Sequence, residues 1–144
     1  MVEIHGWITL RYSDYHSEDE KQNDFVYRFK HFLQKHCEWV LGDPDNQIGH
    51  LTRRNGLDCF TIAVQHNHPG SPFYPLDIFN WAAENSTGSY GILYFHDDEN
   101  EARHNEFQVF TLKRGKLTES KDPFLSPYFE EVEQEYDADN PPLD

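Results

Sequence analysis

IGHLTRRNGLDCFTIAVQH, residues 48–66, is the stretch on which the fold turns. At its centre, Asn55-Gly56 supplies the two adjacent positive-φ residues that a two-residue hairpin turn needs. After the turn Phe60, Ile62 and Val64 alternate with Cys59, Thr61, Ala63 and Gln65, the period of a strand. A strand over Ile48 to Arg54 and a return strand over Leu57 to His66 are expected, paired antiparallel.

The pattern extends outward from there. Val2, Ile4, Gly6, Ile8 and Leu10 fall on one face of a strand over residues 2–12, and Trp7 on the second face marks that face as partly covered or used. Phe25, Phe29, Phe32, Leu33 and Cys37 recur at helical spacing and predict a helix over 18–36. Ser17 is its expected N-cap, with Glu20 in capping-box position. The acidic start and Lys30, Lys35 and His36 near the end suit the helix dipole. Gly42, Asp43 and Pro44 mark a loop, as do residues 67–72 with two prolines and a glycine. A second helix is expected over Pro75 to Asn85, with Leu76, Phe79, Ala82 and Ala83 as its inner stripe and Ile78 and Trp81 beside it. Strands follow over Tyr90 to His96, Asn105 to Arg114 and Lys116 to Ser120, the first two separated by an acidic turn at residues 97–100.

This order predicts a two-layer α+β domain: a mainly antiparallel sheet with two helices packed on one face. The first six elements follow the order of a ferredoxin-like unit. The core is expected around Phe29, Phe32, Leu33, Phe79, Ile62, Val64, Leu93 and Val109. No linker divides the chain, so residues 1–144 read as one domain with an acidic C-terminal segment from about residue 122.

Charge narrows the partners. The net charge is −14, the pI about 4.9 and the mean hydropathy −0.84. Such a chain repels nucleic acid and anionic membranes and attracts basic proteins. No apolar run reaches the length of a membrane span, and no basic-then-apolar leader opens the chain, so a cytoplasmic protein is expected. Cys37 and Cys59 read as reduced thiols.

Catalytic chemistry is weakly signalled. His66, His68, His96 and Asp97 lie at two strand ends and carry ligand types suited to zinc or iron, so a small metal-dependent hydrolase is an alternative reading. There is no phosphate-cradling glycine loop and no nucleophile elbow. Neither a catalytic site nor a cofactor is expected. The acids are distributed more tellingly: from Glu119 to Asp144 nine acids and one base give −8 of the −14. Glu130, Glu131, Glu133 and Glu135 interleave with Tyr128, Phe129, Val132 and Tyr136. A solvated tail is one reading; a docking segment for a basic protein is the other, with aromatic anchors ringed by steering charges.

Several runs together resemble the immunity protein 7 family of bacterial polymorphic toxin systems. They are Val2-Glu3-Ile4-His5-Gly6-Trp7-Ile8, Tyr90-Gly91-Ile92-Leu93-Tyr94-Phe95, Asn105-Glu106-Phe107-Gln108-Val109-Phe110 and Asp122-Pro123-Phe124-Leu125-Ser126-Pro127. The resemblance implies a non-enzymatic protein that binds and neutralises a toxin encoded beside it, contact-dependent growth inhibition being one setting. Toxins of such systems are often nucleases, and a nuclease presents a basic surface to phosphates. The expected contact surface joins the turn acids Asp97, Asp98, Glu99 and Glu101 to Tyr128, Phe129 and the tail acids Glu130, Glu131, Glu133 and Glu135. An acidic nucleic-acid mimic acting on a DNA-binding protein is a further alternative.

Overall fold

The computed structural model describes residues 1–15, 18–42, 48–66, 75–129 and 138–139. Its elements are β1 (Val2–Leu10), α1 (Asp19–His36), the single turn α2 (Glu38–Leu41), β2 (Gly49–Arg54), β3 (Leu57–His66), α3 (Pro75–Asn85), β4 (Tyr90–Asp97), β5 (Gln108–Lys113) and β6 (Lys116–Lys121). Asn55 and Gly56 adopt φ values of 52° and 77°, and β2 and β3 pair antiparallel about them, Arg54 opposite Leu57. Arg114 and Gly115 repeat the device between β5 and β6.

The six strands form one sheet in the order β2-β3-β1-β4-β5-β6, every neighbouring pair antiparallel. The first four strands have the ferredoxin-like arrangement, with β1 between β3 and β4, and the β5–β6 hairpin extends the β4 edge. The core joins one sheet face to the helices. Ile4, Ile8 and Leu10 of β1, Phe60 of β3, Leu93 of β4, and Phe25, Phe29, Leu33, Ile78 and Phe79 of the helices are fully buried. Each such side chain contributes about 1.5–3 kcal/mol through burial. Trp81 of α3 stacks against Phe25 and Phe32 of α1 at 5.8 and 5.4 Å and so joins the helices to each other.

Local details depart from the sequence reading. The cap of α1 is Glu18, with no side-chain cap bond; Ser17 lies outside the described residues, as do Asp43, Pro44 and the loop 67–72. Gln22 ties the start of α1 to the end of β1 instead: its amide nitrogen donates to the Leu10 carbonyl at 2.9 Å, and its oxygen accepts from the Tyr12 amide at 2.8 Å. Ile78 belongs to the buried stripe of α3, whereas Leu76 and Ala83 are half-buried. The strand expected from Asn105 begins only at Gln108. Val109 is buried, but its partners Tyr94 and Ser120 place it on the sheet face away from the helices. Phe110 and Leu112 face the helical core instead.

Candidate functional site

The face that the helices leave free carries His5, Trp7, Ile92, Tyr94 and His96, by the alternation of β1 and β4. One end of it is covered by residues 122–129. Asp122 organises this cover. Its carboxylate accepts bonds from the amides of Phe124 and Leu125 at 3.0 and 2.8 Å and from the Ser126 hydroxyl at 3.0 Å. Burial acts to raise the Asp122 pKa, but the amide bonds from Phe124 and Leu125 and the bonds from Ser126 outweigh it and hold the carboxyl below its ordinary range. The Tyr94 phenol is pushed up, by burial and by the neighbouring Asp122 carboxylate. The Ser126 oxygen in turn accepts the Phe107 amide at 2.9 Å.

Asn105 holds the far end of the cover. Its side-chain oxygen accepts the Phe129 amide at 2.7 Å and its side-chain nitrogen donates to the Phe129 carbonyl at 2.9 Å. Its own carbonyl accepts the Tyr128 amide at 2.8 Å. The Tyr128 ring then stacks on His96 at 4.5 Å, and Phe107 stacks on the same imidazole at 5.0 Å. Residues 122–129 are thus a latch, pinned at both ends by buried polar side chains. Its apolar tips still face solvent: Phe124 is 81% exposed, Leu125 54%, Tyr128 47% and Phe129 50%.

The turn that supplies Asn105 begins with the expected acids. Asp97 ends β4, half-buried, with its carboxylate accepting the Glu99 amide at 3.0 Å. Asp98 pairs with the amino group of Met1. Glu99 and Glu101 are exposed. His104, three residues beyond Glu101, lies 6.0 Å from the Phe129 ring. The acidic turn and the pair Tyr128–Phe129 are therefore brought to one end of the sheet. Tyr128 is part of the latch packing as well as part of its surface. Glu130, Glu131, Glu133 and Glu135 lie outside the described residues.

The sequence reading missed Phe124 and Leu125 as exposed apolar residues, Asp122 and Ser126 as the residues that hold them, and Asn105 as the residue that holds Tyr128 and Phe129. An Asp followed by Pro, two large apolar residues and Ser-Pro in a polar stretch is a signal for an Asx-type turn with an apolar tip.

Among the described residues the alternative metal site is not assembled. Strand alternation sends His96 and Asp97 to opposite faces of β4. His96 is fully buried, its Nε2 donates to the His104 carbonyl at 2.7 Å, and its Nδ1 has no partner among the described residues. The side chain of His66 and all of His68 lie outside the described residues. Among the described residues no group of three His, Cys, Asp or Glu is placed to hold a metal ion, and no helix is long and apolar enough to cross a membrane.

Nothing among the curated proteins or the solved structures matches the chain. A family model described as immunity protein 7 matches residues 1–134. The match takes in all six strands, the helices, the acidic turn and the latch, and the chain thus belongs to the immunity protein 7 family, in which the partner is a toxin protein.

Proposed function

We propose that the chain works in the cytoplasm as a stoichiometric, non-catalytic inhibitor, and that its toxin is a basic nuclease whose substrate-binding surface it covers. The observation that carries this reading is the juxtaposition of charge and anchors at one end of the sheet. Asp98, Glu99 and Glu101 stand beside a latch that presents Phe124, Leu125, Tyr128 and Phe129, with Asp97 turned to the other face of β4. A nuclease surface shaped for phosphates is complementary to carboxylates, and the net charge of −14 attracts it before contact. Rigid aromatic anchors then set the lifetime of the complex, because the order they need on binding is already present.

The experiment follows the two roles separately. Neutralising Glu99 and Glu101 to Gln is expected to slow association with the toxin, more at low salt than near physiological ionic strength, where screening shortens the field to about 8 Å. Phe124→Ala or Phe129→Ala is expected to speed dissociation about thirtyfold, the effect of a hot-spot residue worth about 2 kcal/mol. Removing the residues after Phe129 tests the tail acids Glu130, Glu131, Glu133 and Glu135 while sparing Tyr128 and its packing on His96. Unchanged rates in all three experiments would remove the acidic end from the interface.

A further inference from the structure

The opposite end of the same sheet face has a different chemistry. A groove of about 530 Å³ opens there, lined by Trp7, Tyr90 and Ile92 and rimmed by Arg11, Lys113 and Arg114. Trp7 and Tyr90 meet edge-to-face at 6.0 Å, and each remains 40% exposed. Gly91 lets the β1 and β4 backbones run close together beneath them: a Cβ there would fall on the Trp7 carbonyl oxygen and lie 2.9 Å from the Ile8 Cα.

The three cations form no ion pair among the described residues, whereas Arg28 and Arg103 pair with Asp24 and Glu119. One carboxylate, Asp14, reaches the rim, and the Thr87 hydroxyl lies 3.4 Å from it. Three cations gathered over exposed aromatic surface in a chain of charge −14 form a local field opposite in sign to the whole.

We propose that this groove takes a carboxylate-bearing segment of the toxin, its acidic side chains on Arg11, Lys113 and Arg114 and its apolar ones against Trp7 and Tyr90. The inference rests on the toxin-binding reading and adds a second contact to it. An extended polyanion such as nucleic acid fits less well, since the remaining charge of the chain repels it along its length. The groove and the latch lie at the two ends of β4, eight residues long, or about 24 Å at roughly 3.4 Å per residue. That separation lies within one interface of ordinary size. A single acidic patch would accept a basic partner in many orientations. Two patches of opposite sign on one face admit one register.

The test places a photo-crosslinking residue, p-benzoylphenylalanine, at exposed Thr111 in the groove, and separately at Glu101 by the latch, in the full chain bound to the toxin domain encoded beside it. The Thr111 probe is expected to link to a toxin peptide containing Asp or Glu. The exposed pair Lys113→Glu and Arg114→Glu is expected to weaken the complex about tenfold or more, and reversing the acids of the linked toxin peptide to Lys should restore binding. Links from Glu101 with none from Thr111, or from Thr111 only to basic peptides, overturn the groove contact and leave the acidic-end reading standing. Links from Thr111 alone support the groove and remove the acidic end. Failure of the two proteins to associate overturns both. Binding of a short oligothymidylate to the free protein at low salt, lost in the Lys113/Arg114 variant while that variant holds the toxin normally, would assign the groove to nucleic acid instead.

Discussion

Replacing Asn105 by Ala removes both side-chain bonds to Phe129, at 2.7 and 2.9 Å, and leaves the backbone bond from the Tyr128 amide to the Asn105 carbonyl in place. Each lost bond has a net worth of about 0.5–1.5 kcal/mol, so the latch should be weakened by about 1–3 kcal/mol. That corresponds to roughly a 5- to 150-fold rise in the population of an open latch. The core does not share the loss, because Ile4, Ile8 and Phe29 are buried on the other face of the sheet or beneath the helices. Native-state hydrogen exchange reads the effect directly. The amides of Phe107 and Tyr128, which bond to Ser126 and Asn105, should lose protection by that factor, and the β1 amides should keep theirs. Dissociation from the toxin should accelerate as well, since Phe129 and Tyr128 would have to be ordered on binding. A change below about threefold at Phe107 and Tyr128, or an equal loss throughout β1, would refute the latch as a separate unit pinned by Asn105.

Titration gives a second handle on the latch. The Asp122 pKa is lowered on folding, so its stabilisation is fully present above the ordinary value of 3.8 and is lost as pH falls through the depressed folded value. Protection of the Phe124 and Leu125 amides should stay constant from neutral pH down to about pH 4 and fall below it, and Asp122→Asn should abolish that dependence. Cys37 is buried, and burial together with the nearby Asp77 carboxylate pushes its thiol up to about 11. Iodoacetamide at pH 8 should therefore label it about a hundredfold more slowly in the folded protein than in denaturant; equal rates would contradict its burial. Gly91→Ala would drive a methyl into the β1 backbone, and thermal unfolding should show a loss of about 3 kcal/mol or more.

The sheet and both long helices were legible because each carried an unambiguous period or turn. Asn55-Gly56 set one hairpin, β3 and α3 have the expected bounds, and the first six elements follow the ferredoxin-like order, whereas the order of the strands across the sheet came from the structure alone. Residues 108–113 were harder. Val109 and Phe110 are both buried, one under the latch side and one under the helices, so the alternation that distinguishes a core face disappears. Asn105 has the local pattern of a strand residue, and its partner, Phe129, lies 24 residues away, beyond the reach of that pattern. The same distance hides the burial of His96, which depends on Tyr128 closing over it. The acids of residues 97–101 were visible as charge, but their placement beside an ordered apolar loop required the turn after β4 to carry Asn105. The α2 turn, four residues long, is too short to show a period.

The central claim, stoichiometric neutralisation by binding, is tested most directly by titrating the purified chain into a fixed amount of the neighbouring toxin domain and following the toxin's activity, for the proposed nuclease its cleavage of nucleic acid. The expected result is a linear fall to zero with a break at one chain per toxin, together with a complex of that composition by light scattering. A toxin that stays active with the chain in excess would contradict the account, as would one silenced by far less than an equal amount of chain, which would mean catalysis rather than occupancy.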